Sequence, residues 1–418
     1  MADPIDPARI EADLRALVRT PSVTGDETAV TDLAAGLLAD AGAVVERLDI
    51  DPARIEADPD FPGTEMPRVT LPLAIGRLGR PGGRRVLLAG HLDVVPIGDE
   101  GAWTVDPWAG EVRDGRLYGR GACDMKGGVV SILAAVRTLA DAGNLDRLDG
   151  ELVVALVPAE EDGGAGMLAA IRALAREDGS VAEAAVITEP TRLELIVAHA
   201  GALTFRLGVP GRAAHASVRR EGVSALDGVF TLVRALEADE VARNAAETDP
   251  LMTDLGLPYA TIVGKLAGGD WASTVLDRVV VEGRYGVRLG QTPEEAGAEL
   301  RACIESACAA DPFLRDHPAT VEIVGGRFGS ARVDPDGPLA SGLAAAIHDV
   351  TGRVPARVGA PYGADMRLLV HQGRTPTVMF GPGDVRVAHS ADEHVPLDEV
   401  AACGQALAAW AGRELRPG

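Results

Sequence analysis

The chain has 418 residues, of which 47% are hydrophobic and 24% charged, a composition typical of globular proteins and far from that of disordered ones. This length favours two or three domains. With 40 basic and 62 acidic residues the net charge is −22, and such a field would repel nucleic acid and anionic membranes, so we expect neither as a partner.

The cysteines and the N-terminus indicate the cellular compartment. The four cysteines form no CxxC pair and are sparse for this length, which predicts a reducing environment without a disulfide framework. The opening residues MADPIDPARIEADL lack the apolar run of a secretory signal, and no stretch approaches the ~20 apolar residues of a membrane span. We therefore expect a cytoplasmic protein.

The first part of the chain alternates between helical and strand patterns. Helices are predicted at 5–19, 26–41 and 127–142, where apolar residues recur with a helical period. The short apolar runs in RRVLLAGH, GELVVALV and AEAAVITEP are typical of buried strands. This alternation predicts an α/β domain with a mixed, largely parallel sheet flanked by helices.

The pattern changes after about Val197 and returns after about Pro338. ALTFRLGVPG, DRVVVEGRYGVRL and ATVEIVGG are typical of half-buried strands, with helices predicted at 224–238 and in PEEAGAELRACIESACAA. The last part has helices at 339–351 and 397–410 around a buried strand, TPTVMFGPG. We predict a first domain formed by 1–197 and 328–418, with an α+β domain inserted at 198–327.

Metal-competent side chains follow four of the predicted strands, and in α/β sheets ligands bind at the carboxyl ends of the strands. These residues are His91 with Asp93, Glu160 with Glu161, Glu189, and His389. A further acid, Asp124, lies in the glycine-rich segment GRGACDMKGG, which is no dinucleotide fingerprint because an aspartate replaces its third glycine. Each feature alone is more often structural; their joint occurrence predicts a metal site.

The number and type of these side chains suit two metal ions. Two divalent ions ~3.5–4 Å apart need a shared carboxylate and about two further ligands each. The set that meets this need is His91, Asp124, Glu161, Glu189 and His389. Imidazole and carboxylate ligands favour two Zn²⁺ per subunit, with Co²⁺ or Mn²⁺ as possible substitutes.

At these same residues the chain resembles a family of dinuclear zinc hydrolases that includes acetylornithine deacetylase, succinyl-diaminopimelate desuccinylase, aminoacylase and glutamate carboxypeptidase. The stretches that carry the resemblance are LLAGHLDVVP, LYGRGACDMKGG, VPAEED, TEP, GRAAHAS, GADMRLL and FGPGDVRVAHSADEHV. They span most of the chain in the family order. The resemblance implies a zinc-peptidase-like catalytic domain with an inserted α+β sandwich that serves as lid and dimerisation domain, and hence a homodimer.

The resemblance also implies how the five metal ligands divide. Asp124 would bridge the two ions, His91 and Glu189 would complete one site, and Glu161 and His389 would complete the other.

Three further residues would act in catalysis. Glu160 would be the general base that takes a proton from a metal-bound water, giving the hydroxide that attacks the amide carbonyl. Asp93 would hold the far ring nitrogen of His91. His215 matches a histidine that reaches the neighbouring subunit's active site in dimeric members and would stabilise the oxyanion.

Substrate contacts are expected from the inserted domain. Arg288 matches a position that commonly holds the substrate carboxylate, although an exposed strand arginine is an equal alternative. Ser273 or Thr274 stands where the family often has an asparagine, so the contacts from this segment are expected to differ.

The predicted function is hydrolysis of the amide bond of a small N-acyl amino acid or related amine, in the manner of acetylornithine deacetylase. A dipeptidase or carboxypeptidase of the same family is the alternative. A non-catalytic metal-binding relative is disfavoured, because Glu160 and the five predicted ligands are all present.

Overall fold

The computed structural model describes residues 5–141, 145 and 148–416. They form two compact units: unit 1 comprises Met1–Val197, Arg332–Val358 and Asp365–Gly418, and unit 2 comprises Ala198–Ala331 and Gly359–Ala364. Unit 2 therefore also takes a short segment from the third predicted part of the chain. Ala142, the last residue of one predicted helix, lies outside the described residues.

The largest sheet is a mixed sheet of nine strands. Its strands are β1 (Val44–Ile50), β2 (Leu71–Gly79), β3 (Arg84–His91), β6 (Gly150–Val157), β7 (Ala184–Ile187), β8 (Leu195–His199), β13 (Ala331–Arg332), β14 (Arg357–Ala360) and β15 (Thr377–Met379). The order is β1-β2-β6-β3-β7-β15-β8-β13, with β14 paired to β8. The central pairs β6–β3, β3–β7 and β7–β15 are parallel, and β1–β2 and β2–β6 are antiparallel.

The parallel centre of the sheet is buried and mostly apolar. Every residue of β6 and β7 is buried, as is β3 from Val86 to its end. In register, Ala89 of β3 lies opposite Ala155 of β6 and Ile187 of β7. The carboxyl ends of the three strands therefore meet at one edge of the sheet, which places the residues that follow them together.

Helices cover this sheet and are closed by local caps. In unit 1 they are α1 (Pro7–Val18), α2 (Thr28–Asp40), α3 (Pro52–Glu56), α4 (Gly127–Asp141), α5 (Ala165–Leu174), α9 (Pro338–Thr351), α10 (Met366–His371) and α11 (Leu397–Glu414). Asp6 caps α1 by accepting a hydrogen bond from the backbone N–H of Ala8. At its other end, the fully buried Lys126 donates to the carbonyls of Leu17 and Thr20.

A small antiparallel sheet completes unit 1. It consists of β4 (Glu111–Arg113), β5 (Arg116–Tyr118) and β16 (His394–Pro396), in the order β16-β5-β4. His394 lies opposite Tyr118, so the residues just before β16 run beside those just after β5.

Unit 2 is an α+β fold with a four-stranded antiparallel sheet. Its strands are β9 (Gly201–Pro210), β10 (Thr261–Gly268), β11 (Arg278–Val287) and β12 (Thr320–Phe328), in the order β10-β11-β9-β12. The helices are α6 (Ala225–Ala245), α7 (Pro250–Thr253) and α8 (Pro293–Ala310), the last begun by a capping box of Thr292 and Glu295. Phe205 and Tyr285 are fully buried in its core, whereas the Lys265 side chain on edge strand β10 is 82% exposed.

The predicted fold class, a mixed and largely parallel sheet flanked by helices with an inserted α+β part, is confirmed. Within the described residues, no helix is both long enough and apolar enough to cross a membrane.

Candidate metal centre

Three of the predicted metal ligands and the predicted general base lie at the ends of neighbouring parallel strands. His91 is the last residue of β3, Glu160 and Glu161 follow β6, and Glu189 follows β7. The backbone leaves β6 through Ala159, whose φ of 66° lies in the left-handed region that residues with a side chain rarely adopt. This turn directs the two acids after it away from the strand direction.

Asp124 comes to the same edge from a turn rather than from a strand. The segment Ala122–Lys126 precedes α4, and its backbone is non-helical at Asp124. The start of α4 lies against the end of β7, where a Cβ placed on Gly128 would be 2.0 Å from the carbonyl oxygen of Thr188. Only glycine permits this approach, which brings Asp124 towards Glu189.

The carboxylate of Asp124 lies between two histidines. Its Oδ1 is 3.1 Å from Nε2 of His91, and its Oδ2 is 3.4 Å from Nε2 of His389. His389 Nε2 is also 3.1 Å from a carboxylate oxygen of Glu161, and His91 Nε2 is 4.0 Å from one of Glu189. The five predicted ligands thus form two groups that share Asp124.

The two histidines differ in exposure and in backbone geometry. The His91 side chain is 2% exposed and the His389 side chain 51% exposed. His389 lies in the loop before β16 with a φ of 58°, in the left-handed region. One imidazole is therefore part of the core, and the other is presented from the surface.

Asp93 contacts both His91 and the acidic turn, but not in the way expected from the sequence. Nδ1 of His91 is 2.9 Å from the backbone carbonyl of Asp93 and 3.6 Å from its carboxylate. The carboxylate instead accepts hydrogen bonds from the backbone N–H groups of Glu160 and Glu161, each at 3.1 Å, and from the hydroxyl of Thr24. Asp93 therefore orients the histidine through its main chain and the acidic turn through its side chain.

The three glutamates at this edge, Glu160, Glu161 and Glu189, have raised pKa values, whereas hydrogen bonds from His389 and His91 lower the pKa of Asp124. Burial raises the pKa of Glu189 to about 8, and the charges of Asp124 and Glu161 add to the rise. Burial also raises the pKa of Glu160 well above its usual range, helped by the charges of Asp365 and Glu189. Each of these acids disfavours the ionised state of its neighbours because too little positive charge is nearby.

The pKa values of the two histidines are raised as well, which for an imidazole favours the charged form. The carboxylates of Asp124 and Glu161 raise the pKa of His389 to about 11. Burial disfavours the protonated form of His91, but Asp124 and Glu189 outweigh it and hold its pKa well above the ordinary value. The cluster therefore favours added positive charge.

The donor set fits a metal ion. His91, Asp124 and Glu161 each offer a ligand atom, and these atoms lie within 4.8 Å of one another. Imidazole nitrogens and carboxylate oxygens are the ligands that zinc takes in catalytic sites, and divalent ions would neutralise the crowded acids.

Two further residues that the sequence did not single out lie against the Asp124 turn. They are Arg120 and Glu393, both buried. Arg120 lies in the stretch LYGRGACDMKGG and Glu393 in VAHSADEHV. Nothing in the sequence indicates that an arginine and a glutamate 273 residues apart form a pair.

In unit 2, the structure places three of the predicted residues side by side. His215 and Thr274 form an isolated β-bridge, and the backbone N–H of Ala216 donates to the carbonyl of Ser273. His215, Ser273 and Thr274 are all exposed, and Nδ1 of His215 accepts from the backbone N–H of Ser217. The imidazole is thus oriented by a contact within its own chain, and Nε2 takes no part in this contact.

Arg288 lies elsewhere in unit 2 and already has an acidic partner. Its guanidinium forms an ion pair with Glu299 of α8. It lines a cavity of about 650 Å³ together with Arg243, Glu247 and Gln291. Ser273 and Thr274 precede β11, whereas Arg288 follows it, so the two predicted substrate-contact groups lie at opposite ends of this strand.

The chain matches the sequence model of one protein family over most of its length. Residues 87–413 match the model described as peptidase family M20/M25/M40.

Curated relatives carry one recurring description. The chain is 29% identical over 409 residues to the succinyl-diaminopimelate desuccinylase of Caulobacter sp. (strain K31), covering 96% of this chain and 94% of that one. It is 35% identical over 301 residues to the succinyl-diaminopimelate desuccinylase of Methylobacterium radiotolerans, covering 70% of each.

Solved structures support the fold. The dipeptidase Dug1p of Saccharomyces cerevisiae superimposes with a TM-score of 0.75 at 15% identity, over 97% of this chain and 96% of that one. The M20 metallo-carboxypeptidase Sso-CP2 of Sulfolobus solfataricus gives a TM-score of 0.72 at 16% identity, over 97% and 98%. The chain belongs to peptidase family M20/M25/M40 and is a metal-dependent amidohydrolase.

Proposed function

We propose that this chain is an N-deacylase that uses two metal ions to hydrolyse the amide bond of a small N-acyl amino acid or related N-acyl amine. The observation that carries the proposal is the carboxylate of Asp124, whose two oxygens face His91 and His389 on opposite sides. A carboxylate shared in this way is the feature that a two-metal hydrolytic site requires.

Five side chains would hold the metals, and zinc is the ion that suits them. Asp124 would contact both ions, His91 and Glu189 one, and Glu161 and His389 the other. Zinc ions held there would polarise the scissile carbonyl and make a water molecule more acidic.

Glu160 would act as general base and later as general acid. It is 7% exposed, its backbone is fixed by the hydrogen bond from its N–H to Asp93, and it stands beside a proposed ligand. Among the described residues, no group donates a hydrogen bond to its carboxylate. A raised pKa suits a group that takes a proton from water and returns it to the departing amine.

The relatives support an N-acyl amino acid as the substrate class. Both relatives described above are named succinyl-diaminopimelate desuccinylase. The stretches GADMRLL and FGPGDVRVAHSADEH favour an acetylornithine deacetylase-like branch, so acetyl and succinyl are the two leading candidates for the acyl group.

The inserted domain would supply His215 to the active site of a second copy of the chain, where it would stabilise the oxyanion. Ser273 and Thr274, next to it, would contact the substrate. Arg288 would bind a substrate carboxylate only by giving up Glu299, so of these residues it is the weakest candidate.

A homodimer through unit 2 is part of the proposal. Apolar side chains on and after the edge strand β10 are largely exposed: Ile262 is 60%, Leu266 52% and Trp271 75% exposed. An unpaired edge strand with apolar side chains is a ready surface for a second chain. We expect sedimentation to give a dimer, and a fully active monomer would refute this part.

The deciding experiment is amine release by the zinc-loaded protein from a panel of N-acetyl, N-formyl and N-succinyl amino acids and dipeptides. Turnover of an acyl amino acid would support the deacylase and identify the acyl group. Cleavage of dipeptides alone would instead identify a dipeptidase of the same family. A protein that binds two zinc ions and cleaves nothing in the panel would overturn the proposed substrate class.

A further inference from the structure

The turn that carries Asp124 is hydrogen-bonded to a single buried carboxylate, that of Glu393. Oε1 of Glu393 accepts from the backbone N–H of Cys123 at 2.9 Å and from that of Asp124 at 3.0 Å. Glu393 is 0% exposed, and its own backbone carbonyl accepts from the N–H of Gly119 at 2.8 Å. The Glu393 carboxylate thus fixes the backbone at Asp124, and with it the position from which the Asp124 side chain extends.

The charge of Glu393 is balanced by Arg120. The guanidinium of Arg120 donates to Oε2 of Glu393 at 2.5 Å, and both side chains are almost fully buried. Arg120 also donates to the carbonyl of Pro96 at 3.3 Å and lies over the ring of Trp103, 5.2 Å from its centroid. Because Glu393, Pro96 and Trp103 all contact the Arg120 guanidinium, its position is fixed, and this in turn fixes the orientation of the Glu393 carboxylate.

Glu393 also fixes the loop that carries the second histidine. It stands four residues after His389 and directly before β16. Its neighbour Asp392 accepts hydrogen bonds from the backbone N–H and the hydroxyl of Thr104, at 2.8 and 2.9 Å. The exposed His389 therefore depends on contacts elsewhere in its own loop, and the Glu393 side chain joins this loop to the Asp124 turn.

We propose that Glu393, held by Arg120, is a positioning residue that sets the Asp124 carboxylate and the His389 imidazole at the separation a metal ion requires. It contacts neither metal nor substrate and acts through the two side chains it orients. The inference rests on the proposed metal-dependent function. Outer groups that orient metal ligands affect metal affinity by about 10- to 100-fold, which makes affinity the natural readout.

The first test is Glu393→Gln, which keeps the size of the side chain. A glutamine amide can present its oxygen to the two backbone N–H groups or to Arg120, but its NH₂ group then meets donors on the other side. We expect zinc affinity, measured by competition with a chromogenic chelator, to fall about 10- to 100-fold. Affinity unchanged from that of the zinc-binding wild type would overturn the inference.

Glu151→Gln is the matched control. Glu151 is a 4% exposed glutamate paired with Arg77 and Arg85, and it lies near the start of β6, whereas the metal centre follows the end of that strand. We expect this variant to melt at a lower temperature with zinc affinity unchanged. An equal loss of affinity in both variants would show a general effect of buried-pair disruption and would overturn the positioning role.

Arg120→Lys keeps the test open if Glu393→Gln does not fold. Lysine retains the positive charge beside Glu393 but lacks the planar fork that reaches Pro96 as well. We expect a folded protein whose zinc affinity is reduced by a smaller factor, and an unchanged affinity would overturn the inference. A wild-type protein that binds no zinc would instead refute the proposed function, and the positioning role with it.

Discussion

The candidate residues of unit 1 and those of unit 2 differ in how firmly the fold holds them. His91, Glu160 and Glu189 are 2%, 7% and 5% exposed and follow strands of a parallel sheet. His215, Ser273 and Thr274 are exposed on segments outside the strands of unit 2. Unit 1 thus holds these three donors in place before any ligand arrives, with the half-exposed His389 as its exception, whereas unit 2 presents groups whose final geometry depends on what covers them.

The spacing within unit 2 extends this comparison. Thr274 and Arg288 lie at opposite ends of the ten-residue strand β11, which at ~3.3 Å per residue separates them by roughly 30 Å or more. One small substrate cannot contact both from the same chain. If both residues contact substrates, they do so in two different active sites. This is what a dimer requires in which each chain supplies His215 and its neighbour Thr274 to the active site of the other.

Metal removal is expected to have the largest effect, and to affect unit 1 alone. Dialysis against a chelator should abolish activity, and added zinc should restore it. Bound metal at about 1,000 times its dissociation constant would stabilise the folded state by about 4 kcal/mol. Hydrogen exchange should therefore rise after metal removal at the ends of β3, β6 and β7, and stay unchanged in the sheet of unit 2. Equal changes in both units would break the comparison.

A variant of the proposed general base distinguishes residues that transfer protons from residues that bind metal within unit 1. Glu160→Gln should lower kcat about 10²- to 10⁴-fold because proton transfer is lost. Its zinc content, measured by mass spectrometry, should stay at the wild-type level. Glu161→Gln is the matched control, since the neighbouring proposed ligand should lose zinc. Normal turnover in the Glu160 variant would contradict the assigned role.

His215 tests whether an exposed residue of unit 2 takes part in catalysis. His215→Ala should lower kcat about 10²- to 10³-fold, as the loss of one oxyanion donor does, with zinc content and melting temperature unchanged.

Mixing two inactive variants then shows which chain His215 serves. In a heterodimer of Glu160→Ala and His215→Ala chains, one of the two sites would hold an intact Glu160 and an intact partner histidine. Random re-association should recover about a quarter of wild-type activity. No recovery would place His215 in the site of its own chain or outside catalysis.

The smallest expected effect concerns an ion pair on the surface of unit 1. Arg172 forms two hydrogen bonds with Asp58, at 2.8 and 2.9 Å, and holds the pKa of this carboxyl below its usual range. Because the folded-state pKa is the lower one, the stabilisation is present above about pH 4 and is lost as the pH falls through the folded-state value.

Asp58→Asn should therefore destabilise the protein by less than about 1 kcal/mol at pH 7. In urea unfolding, the difference from wild type should shrink as the pH falls below about 4, the ordinary pKa of an aspartate. A difference that grows on acidification would show that Asp58 is not held ionised by Arg172.

Much of the fold follows from local pattern. The apolar runs that predict β3, β6 and β7 are strands in the structure, and the predicted helix at 26–41 is α2, within two residues at each end. Strand ends in a parallel sheet share an edge, so the approach of His91, Glu160 and Glu189 could be expected from the sequence alone. Their roles as ligands and base stay predictions.

What the sequence could not provide are contacts between distant segments. The carboxylate of Asp93 accepts from the N–H groups of Glu160 and Glu161 because Ala159, which has a left-handed backbone conformation, redirects the chain after β6. Arg288 pairs with Glu299 because α8 packs against β11, a tertiary fact without local signal. Glu393 went unnoticed because its partner Arg120 lies 273 residues earlier.

The two lysines of the chain differ completely in access to solvent. Lys126 is 0% exposed and bound to the carbonyls that end α1, whereas Lys265 is 82% exposed on edge strand β10. An amine-reactive reagent would therefore modify one lysine side chain, with the N-terminal α-amino group distinguished by its lower pKa. The natural protein can thus carry a single dye on unit 2, within the edge strand proposed as the subunit contact, without any engineered cysteine.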